Sequence, residues 1–163
     1  MADAPSKSSG KSSGKTSGVH LWLVLMKAHR SVARHAARSI EPSGLGPSDF
    51  AVLEVLLSKG PQKVNDIGRR VDLTSGSITT AVDRLETRGL VVRELDDADR
   101  RTRIVRLTPV GRAHAAEVFA DHAAALEAAT SGLSKPERKA LIELLKKLGL
   151  AAERIPDAPR NPR

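Results

Sequence analysis

A chain of 163 residues is long enough for one domain with a real core and too short for two comfortable ones. Its composition of 40% hydrophobic and 28% charged residues is that of a globular protein, and a formal net charge of +8 favours a polyanionic partner. The absence of cysteine excludes a disulfide framework, a thiolate zinc site, a cysteine nucleophile and a thiol redox sensor.

Residues 1–18 are of low complexity, with Lys-Ser-Ser-Gly at 7–10 and 11–14 and Lys-Thr-Ser-Gly at 15–18. Gly and Ser bury no apolar area, so a disordered, solvated tail is expected, its three lysines adding weak salt-sensitive attraction to DNA. These polar residues leave no secretory signal, and the longest apolar run, Leu21 to Met26, is far short of the roughly 20 residues of a bilayer span. A cytoplasmic location is expected.

The next segment, 19–40, repeats Leu21, Val24 or Leu25, Ala28, Val32 and Ala36 at three- and four-residue steps, which predicts a helix ended by Pro42, Gly44 and Gly46. A second helix opens on Pro47 with Asp49 in its first turn, buries Phe50, Leu53 and Leu57, and stops at Gly60. Val64 to Val71 makes a short third helix and Leu73 to Arg88 a fourth, closed by Gly89. The period then changes. Leu90 to Leu95 and Thr102 to Thr108 are rich in Val, Ile and Leu around Asp96-Asp97-Ala98-Asp99-Arg100-Arg101, the pattern of an antiparallel hairpin with a charged tip. Thr108 with Pro109 behind it caps a fifth, alanine-rich helix to about Ala129. Ser134 and Glu137 form a capping box for a sixth carrying Leu141, Leu144, Leu145 and Leu148, before a loose tail over 153–163. Only Trp22, Phe50 and Phe119 are aromatic, so the core must be aliphatic.

At 100° per residue, Ile78, Ala81, Val82 and Leu85 fall on one side of the fourth helix, while Ser77, Thr80, Arg84 and Thr87 fall on the other, flanked by Gly76 and Asp83. A short helix joined to this one through Asp72-Leu73-Thr74 has helix-turn-helix spacing, in which the second helix enters the major groove N-terminus first. Small hydroxyl residues let it sit deep, and Arg84 reaches a base or phosphate. An ordinary amphipathic surface helix would carry more Glu and Lys. At the hairpin tip an arginine can enter a narrow A·T-rich minor groove, with Asp99 holding the guanidinium; taken alone, three Asp against two Arg read better as a solvated turn.

Asp99, Arg101, Leu107-Thr108 and Gly111, at the spacing Asp-x-Arg-x5-Leu-Thr-x2-Gly, resemble the wing signature of the MarR (multiple antibiotic resistance regulator) family. Val64-Asn65-Asp66-Ile67-Gly68-Arg69-Arg70-Val71 resembles that family's third helix, and residues 73–91 its recognition helix running into the first wing strand. The similarity covers roughly 19–152. It implies a mainly α fold with a two- to three-stranded wing sheet: a winged helix-turn-helix lobe over 47–108, and dimerisation helices over 19–46 and 109–152 that intertwine in a homodimer. The apolar Leu21, Trp22, Leu25, Leu141, Leu145 and Leu148 call for such a partner surface.

By carry-over, Ser75, Ser77, Thr80 and Arg84 would contact double-stranded DNA, with Arg101 as the wing arginine and Asp99 orienting it. The pair of lobes would read a pseudo-palindromic operator, as a repressor. The resemblance also implies a small aromatic effector in a cleft between dimer helices and DNA lobe, for which Trp22, Met26, Phe50 and Leu53 are the candidates and Arg30 the counter-charge; plain core packing explains the same residues. The third and fourth helices look somewhat closer to the quinone- and catechol-responsive members.

No cofactor, metal or membrane partner is expected. His29 and His35, and His114 and His122, are not at the i, i+4 spacing that pairs imidazoles on a helix. An enzyme is disfavoured by the want of a phosphate loop, a serine elbow or paired carboxylates. A single-strand or RNA binder is disfavoured by the want of aromatic platforms. The remaining alternative is a non-specific architectural DNA-binding protein.

Overall fold

A computed structural model describes residues 16–95 and 103–156. The elements follow the order α1 (Gly18–Ile40), a single 3-10 turn (Glu41–Ser43), α2 (Pro47–Lys59), β1 (Gln62–Lys63), α3 (Val64–Arg70), α4 (Ser75–Thr87), β2 (Val91–Leu95), β3 (Arg103–Leu107), α5 (Pro109–Ala129) and α6 (Lys135–Glu153). This is the expected mainly α winged helix, with a three-stranded antiparallel sheet in the order β1-β3-β2.

The local causes lie in the residues at each element's ends. Ser17 caps α1 by accepting the His20 amide, Pro47 starts α2 at its first turn, and Gly60 ends it with φ of 74°. The bend between α3 and α4 requires a left-handed residue, and Asp72 supplies it at φ 54°, a region that Asp tolerates better than most. At Gly68 an added Cβ would lie 3.2 Å from Ile78 Cγ2, so the two helices of this motif meet at a glycine. Gly111 is tighter still: its Cβ would lie 1.8 Å from the Leu90 carbonyl oxygen, where the start of α5 crosses the chain entering β2.

The chain divides into two compact units, up to Glu127 and from Ala128. The core of the first is aliphatic: Val52, Leu53 and Leu56 of α2, Ile67 of α3, Ile78, Val82 and Leu85 of α4, Val91 and Val105 of the sheet, and Ala115 and Val118 of α5. β3 pairs with β2 so that Val91 lies opposite Leu107 on the core face, while Val92 lies opposite Arg106 on the outer face. On the outer face Arg106 also reaches Glu94 at 2.9 Å. Strand β1 is two residues long and pairs Gln62 with Val105, which makes β3 the central strand. The second unit holds α6, whose start carries the expected capping box of Ser134 and Glu137. No residue of α6 is buried, and its Leu141, Leu144, Leu145 and Leu148 are exposed, as are Val19, Leu21, Trp22, Leu23 and Val24 at the start of α1. Among the described residues no helix is long and apolar enough to cross a membrane.

Candidate nucleic-acid interface

Helix α4 has two chemically different faces. Ile78, Ala81, Val82 and Leu85 are buried, which fixes the rotation of the helix, and Ser75, Gly76, Ser77, Thr79, Thr80, Asp83, Arg84 and Thr87 are exposed. Four of the exposed residues carry hydroxyls within the first two turns, and Thr79 belongs with them although its position on the helical wheel is marginal. The N-terminus is capped by Thr74, whose Oγ1 accepts the Ser77 amide at 3.2 Å and lies 2.9 Å from Ser77 Oγ. The amides of the first turn lack intrahelical partners and sit at the positive end of the helix dipole, a setting that suits a phosphate.

The hydroxyl hydrogens are already committed. Thr79 Oγ1 donates to the Ser75 carbonyl at 2.8 Å, and Thr80 Oγ1 donates to the Gly76 carbonyl at 2.9 Å. Each oxygen therefore offers outward lone pairs. In a major groove such oxygens accept from the exocyclic amines of adenine or cytosine, and they donate to phosphate only after rotating away from the helix.

Of the residues expected to contact DNA, Ser75, Ser77 and Thr80 lie together on this exposed face. Arg84 shares the helix, but its guanidinium turns towards the start of α2. Its Nε donates to Asp49 Oδ1 and Oδ2 at 3.1 and 3.2 Å, and its Nη2 donates to Asp49 Oδ1 at 2.5 Å and to Ser48 Oγ at 3.1 Å. The Asp49 side chain is only 6% exposed against 47% for Arg84, and the hydrogen bond that Arg84 donates to Asp49, with the carboxylate's charge, holds the guanidinium pKa above its ordinary value. Asp99 and Arg101 lie outside the described residues.

What the structure adds is a set of arginine ties to α4 across the lobe. Arg93, on the core-side face of β2, donates to Asp83 at 2.5 Å and pairs with Glu86, and its backbone amide donates to Glu86 Oε1 at 3.1 Å. Burial opposes the charge of Arg93, and the hydrogen bonds to Asp83 and Glu86 outweigh it, so its pKa is raised. The first wing strand is thereby tied to the helix. Arg88 donates to the Gly44 and Ser43 carbonyls at 3.0 and 3.2 Å. No helical periodicity announces partners 35 to 45 residues away in sequence, so these ties are legible only in three dimensions.

The five effector candidates are not brought into one cavity. Leu53 is sealed in the core at 1% exposure; Trp22, Met26 and Arg30 are spread along the N-terminal half of α1, with Trp22 at 59%. Phe50 does line a pocket of about 370 Å³, together with Ala33, Ala36 and Ile40 of α1, Glu54 of α2 and His122 of α5. The His122 ring lies 4.7 Å from the Phe50 ring. Ser39 Oγ gives its one hydrogen to the Ala36 carbonyl at 2.8 Å, so the 2.8 Å contact with His122 is one in which Nδ1 donates. In the tautomer that carries its hydrogen on Nδ1, Nε2 is an acceptor. Among the described residues no group of three His, Cys, Asp or Glu side chains could hold a metal ion.

The chain is similar to known proteins. A family model described as MarR family matches residues 43–102, the span from the α1–α2 turn to the wing. The HTH-type transcriptional regulator MhqR of Bacillus subtilis is 40% identical over 135 residues, 83% of this chain and 93% of that protein. The uncharacterized HTH-type transcriptional regulator YkoM of the same organism is 39% identical over 137 residues, 84% of this chain and 89% of that protein. Among solved structures, BpsR of Bordetella bronchiseptica, whose DNA binding is described as regulated by 6-hydroxynicotinic acid, is 28% identical with a TM-score of 0.70, over 86% of this chain and 98% of that one.

Proposed function

Because the chain belongs to the MarR family of winged-helix, DNA-binding transcription regulators, we propose that it is a cytoplasmic homodimeric repressor that binds a pseudo-palindromic operator and is released by a small aromatic ligand. The observation that carries the DNA-reading part is the exposed face of α4: Ser75, Ser77 and Thr80 with no bulky charged side chain among them, behind a capped N-terminus. A helix so built enters a major groove closely, with acceptor oxygens towards base edges and amides towards phosphate. In this reading Arg101, held by Asp99, enters the adjacent minor groove.

The dimer rests on the apolar side chains left exposed. Leu21, Trp22, Leu23 and Val24 in α1, and Leu141, Leu145 and Leu148 in α6, are far more apolar surface than a monomer ordinarily shows to water. A second copy that covers them would give the assembly two α4 helices, and a pseudo-palindrome with half-sites about one helical turn apart requires two such readers.

For the ligand, the pocket at Phe50 and His122 replaces the dispersed candidates of α1. Its walls are mostly alanine, isoleucine and aromatic ring, and His122 Nε2 suits a ligand that donates a hydrogen bond, such as a phenol or a hydroxylated heteroaromatic acid. The pocket sits where α1 meets the lobe, so an occupant changes the position of α2, to which α4 is tied. Regulation of BpsR by 6-hydroxynicotinic acid is a precedent within the fold.

The test is binding of the purified chain to duplex from upstream of its own gene, against scrambled duplex at near-physiological salt. A preference of roughly 10³-fold or more is expected of a specific regulator. Equal affinity for both duplexes and for fragments selected from a random library, with steep salt dependence, would replace the repressor by an architectural protein. Titration with hydroxylated aromatic acids, phenols and quinones, with the operator complex as readout, tests the effector.

A further inference from the structure

We infer that Arg84 and Arg88 are positioning residues rather than DNA contacts: they lock the recognition helix to the first turn of α2 and to the turn before it, and this lock sets the pose in which α4 meets DNA. The inference rests on the DNA-reading role of α4 and changes what the helix's own arginines do in it.

The first ground is the use of the guanidinium hydrogens. The Nε–Nη2 edge of Arg84 is spent on the Asp49 carboxylate and the remaining Nη2 hydrogen on Ser48 Oγ, leaving only Nη1. Bidentate reading of guanine needs two adjacent free donors, and this residue has them only by releasing Ser48 Oγ or Asp49, with its fork turned away from Asp49 if it is to leave the start of α2. The second ground is burial. Asp49 lies in the first turn of α2, its carboxylate is nearly sealed, and among the described residues Arg84 is its charged partner. Moving Arg84 to a phosphate would strand that carboxylate without a counter-charge, which a buried anion tolerates poorly.

The third ground is that Arg88, the C-cap residue of α4 one turn beyond Arg84, ties to the same stretch of chain by a different chemistry. Its two terminal nitrogens donate to the Ser43 and Gly44 carbonyls, at the end of the turn that follows α1, where Gly44 adopts a left-handed conformation at φ 66°. The apolar contacts of Ile78, Val82 and Leu85 hold α4 against the core but are non-directional. Two planar guanidinium forks, one turn apart and both gripping residues 43–49, remove the freedom to slide or rotate that apolar contact leaves. The exposed Thr80 and Ser77 lie about one and two turns before Arg84 on the same helix, so displacement of its anchorage reaches them directly.

The experiment is salt-dependent operator binding by the full chain and four variants, Arg84→Gln, Arg88→Gln, Asp49→Asn and the double Asp49→Asn/Arg84→Gln, with a fragment selected by the parent from random duplex as the probe. Removing a phosphate contact lowers the slope of log K against log salt by about one, whereas removing a positioning contact leaves the slope in place. Partial loss of folded protein rescales the active concentration and does not alter the slope. We expect each single variant to bind roughly tenfold more weakly with the parental slope, and the double variant to be no worse than the weaker single one, as coupled partners behave.

A slope reduced by about one in Arg84→Gln or Arg88→Gln overturns the inference for that residue. Asp49→Asn binding as tightly as the parent, or more tightly, also overturns it, because freeing a direct contact residue helps binding and freeing a positioning residue harms it. Arg88 is exposed, so Arg88→Gln remains a test even where Asp49→Asn fails to fold. A parent that selects no sequence would instead refute the operator-reading role of α4, and with it this inference.

Discussion

Replacing Gly111 by alanine reverses the usual sign of such a change. Inside a helix, Gly→Ala ordinarily stabilises by roughly 0.5–1 kcal/mol, because glycine loses more conformational freedom on folding. Gly111 lies in the first turn of α5, yet a Cβ there would sit 1.8 Å from the Leu90 oxygen, 2.6 Å from its carbonyl carbon and 2.9 Å from its Cα. All three atoms are backbone, so no rotamer relieves the clash. Restoring an ordinary contact of 3.4 Å requires the helix start and Leu90 to separate by about 1.6 Å. That movement breaks the 3.1 Å bond from the Thr108 amide to the Leu90 oxygen and the 2.7 Å bond from Thr108 Oγ1 to the Gly89 oxygen. Two lost hydrogen bonds at about 1 kcal/mol each, with disturbed packing of Ala115 and Val118, outweigh the propensity gain and leave a net loss of roughly 2–4 kcal/mol. Urea denaturation followed by circular dichroism, at one fixed protein concentration, reads the change as a lower midpoint. Gly76→Ala is the control: nothing lies within 4 Å of its Cβ, and its stability should hold or rise by about 0.5 kcal/mol. Gly111→Ala as stable as the parent, or more so, would refute the close approach of α5 to Leu90.

Three further outcomes are expected. Arg101→Ala should weaken operator binding by roughly 1–3 kcal/mol while the dimer, measured by light scattering, stays intact; unchanged affinity removes Arg101 from the interface. Leu145→Asp places a charge on the exposed apolar face of α6 and should abolish both dimers and tight binding, so a stable monomer that still binds tightly would contradict the intertwined architecture. The Glu137 carboxylate is held below its usual range by hydrogen bonds from the Ser134 side chain and amide, so the ionised form contributes stability above the ordinary Glu pKa of about 4.3 and loses it as pH falls through the lowered folded value. Thermal melts of the parent and Glu137→Gln should therefore differ near neutral pH and converge in acid; a difference independent of pH would separate the capping box from the ionised carboxylate.

The local elements were legible because their causes are local. Pro47 and Gly60 bound α2, Thr108 with Pro109 starts α5, Ser134 with Glu137 starts α6, and each depends on residues within one turn of itself. The buried face of α4, Ile78, Ala81, Val82 and Leu85, follows from a 3.6-residue period that needs no knowledge of what it packs against. The two-residue strand β1 carries too little pattern to announce itself and exists because β3 offers it an edge. The pocket at Phe50 was not legible for a related reason: aromatic and apolar residues in helices α1 and α2 share a chemistry, but within one chain a rise of 1.5 Å per residue carries Trp22 far from Phe50, and His122 arrives in the pocket from an element 72 positions beyond Phe50 in the chain. The part of Arg84 was decided in the same way. Its place on the exposed face of α4 is a property of helical geometry, and its engagement with Asp49 is a property of where the start of α2 comes to rest. Sequence by itself determined the helices, their caps, the wing and the family; the tertiary structure alone decided which charges meet, because an ion pair needs two side chains brought within about 4 Å by packing that no local period encodes.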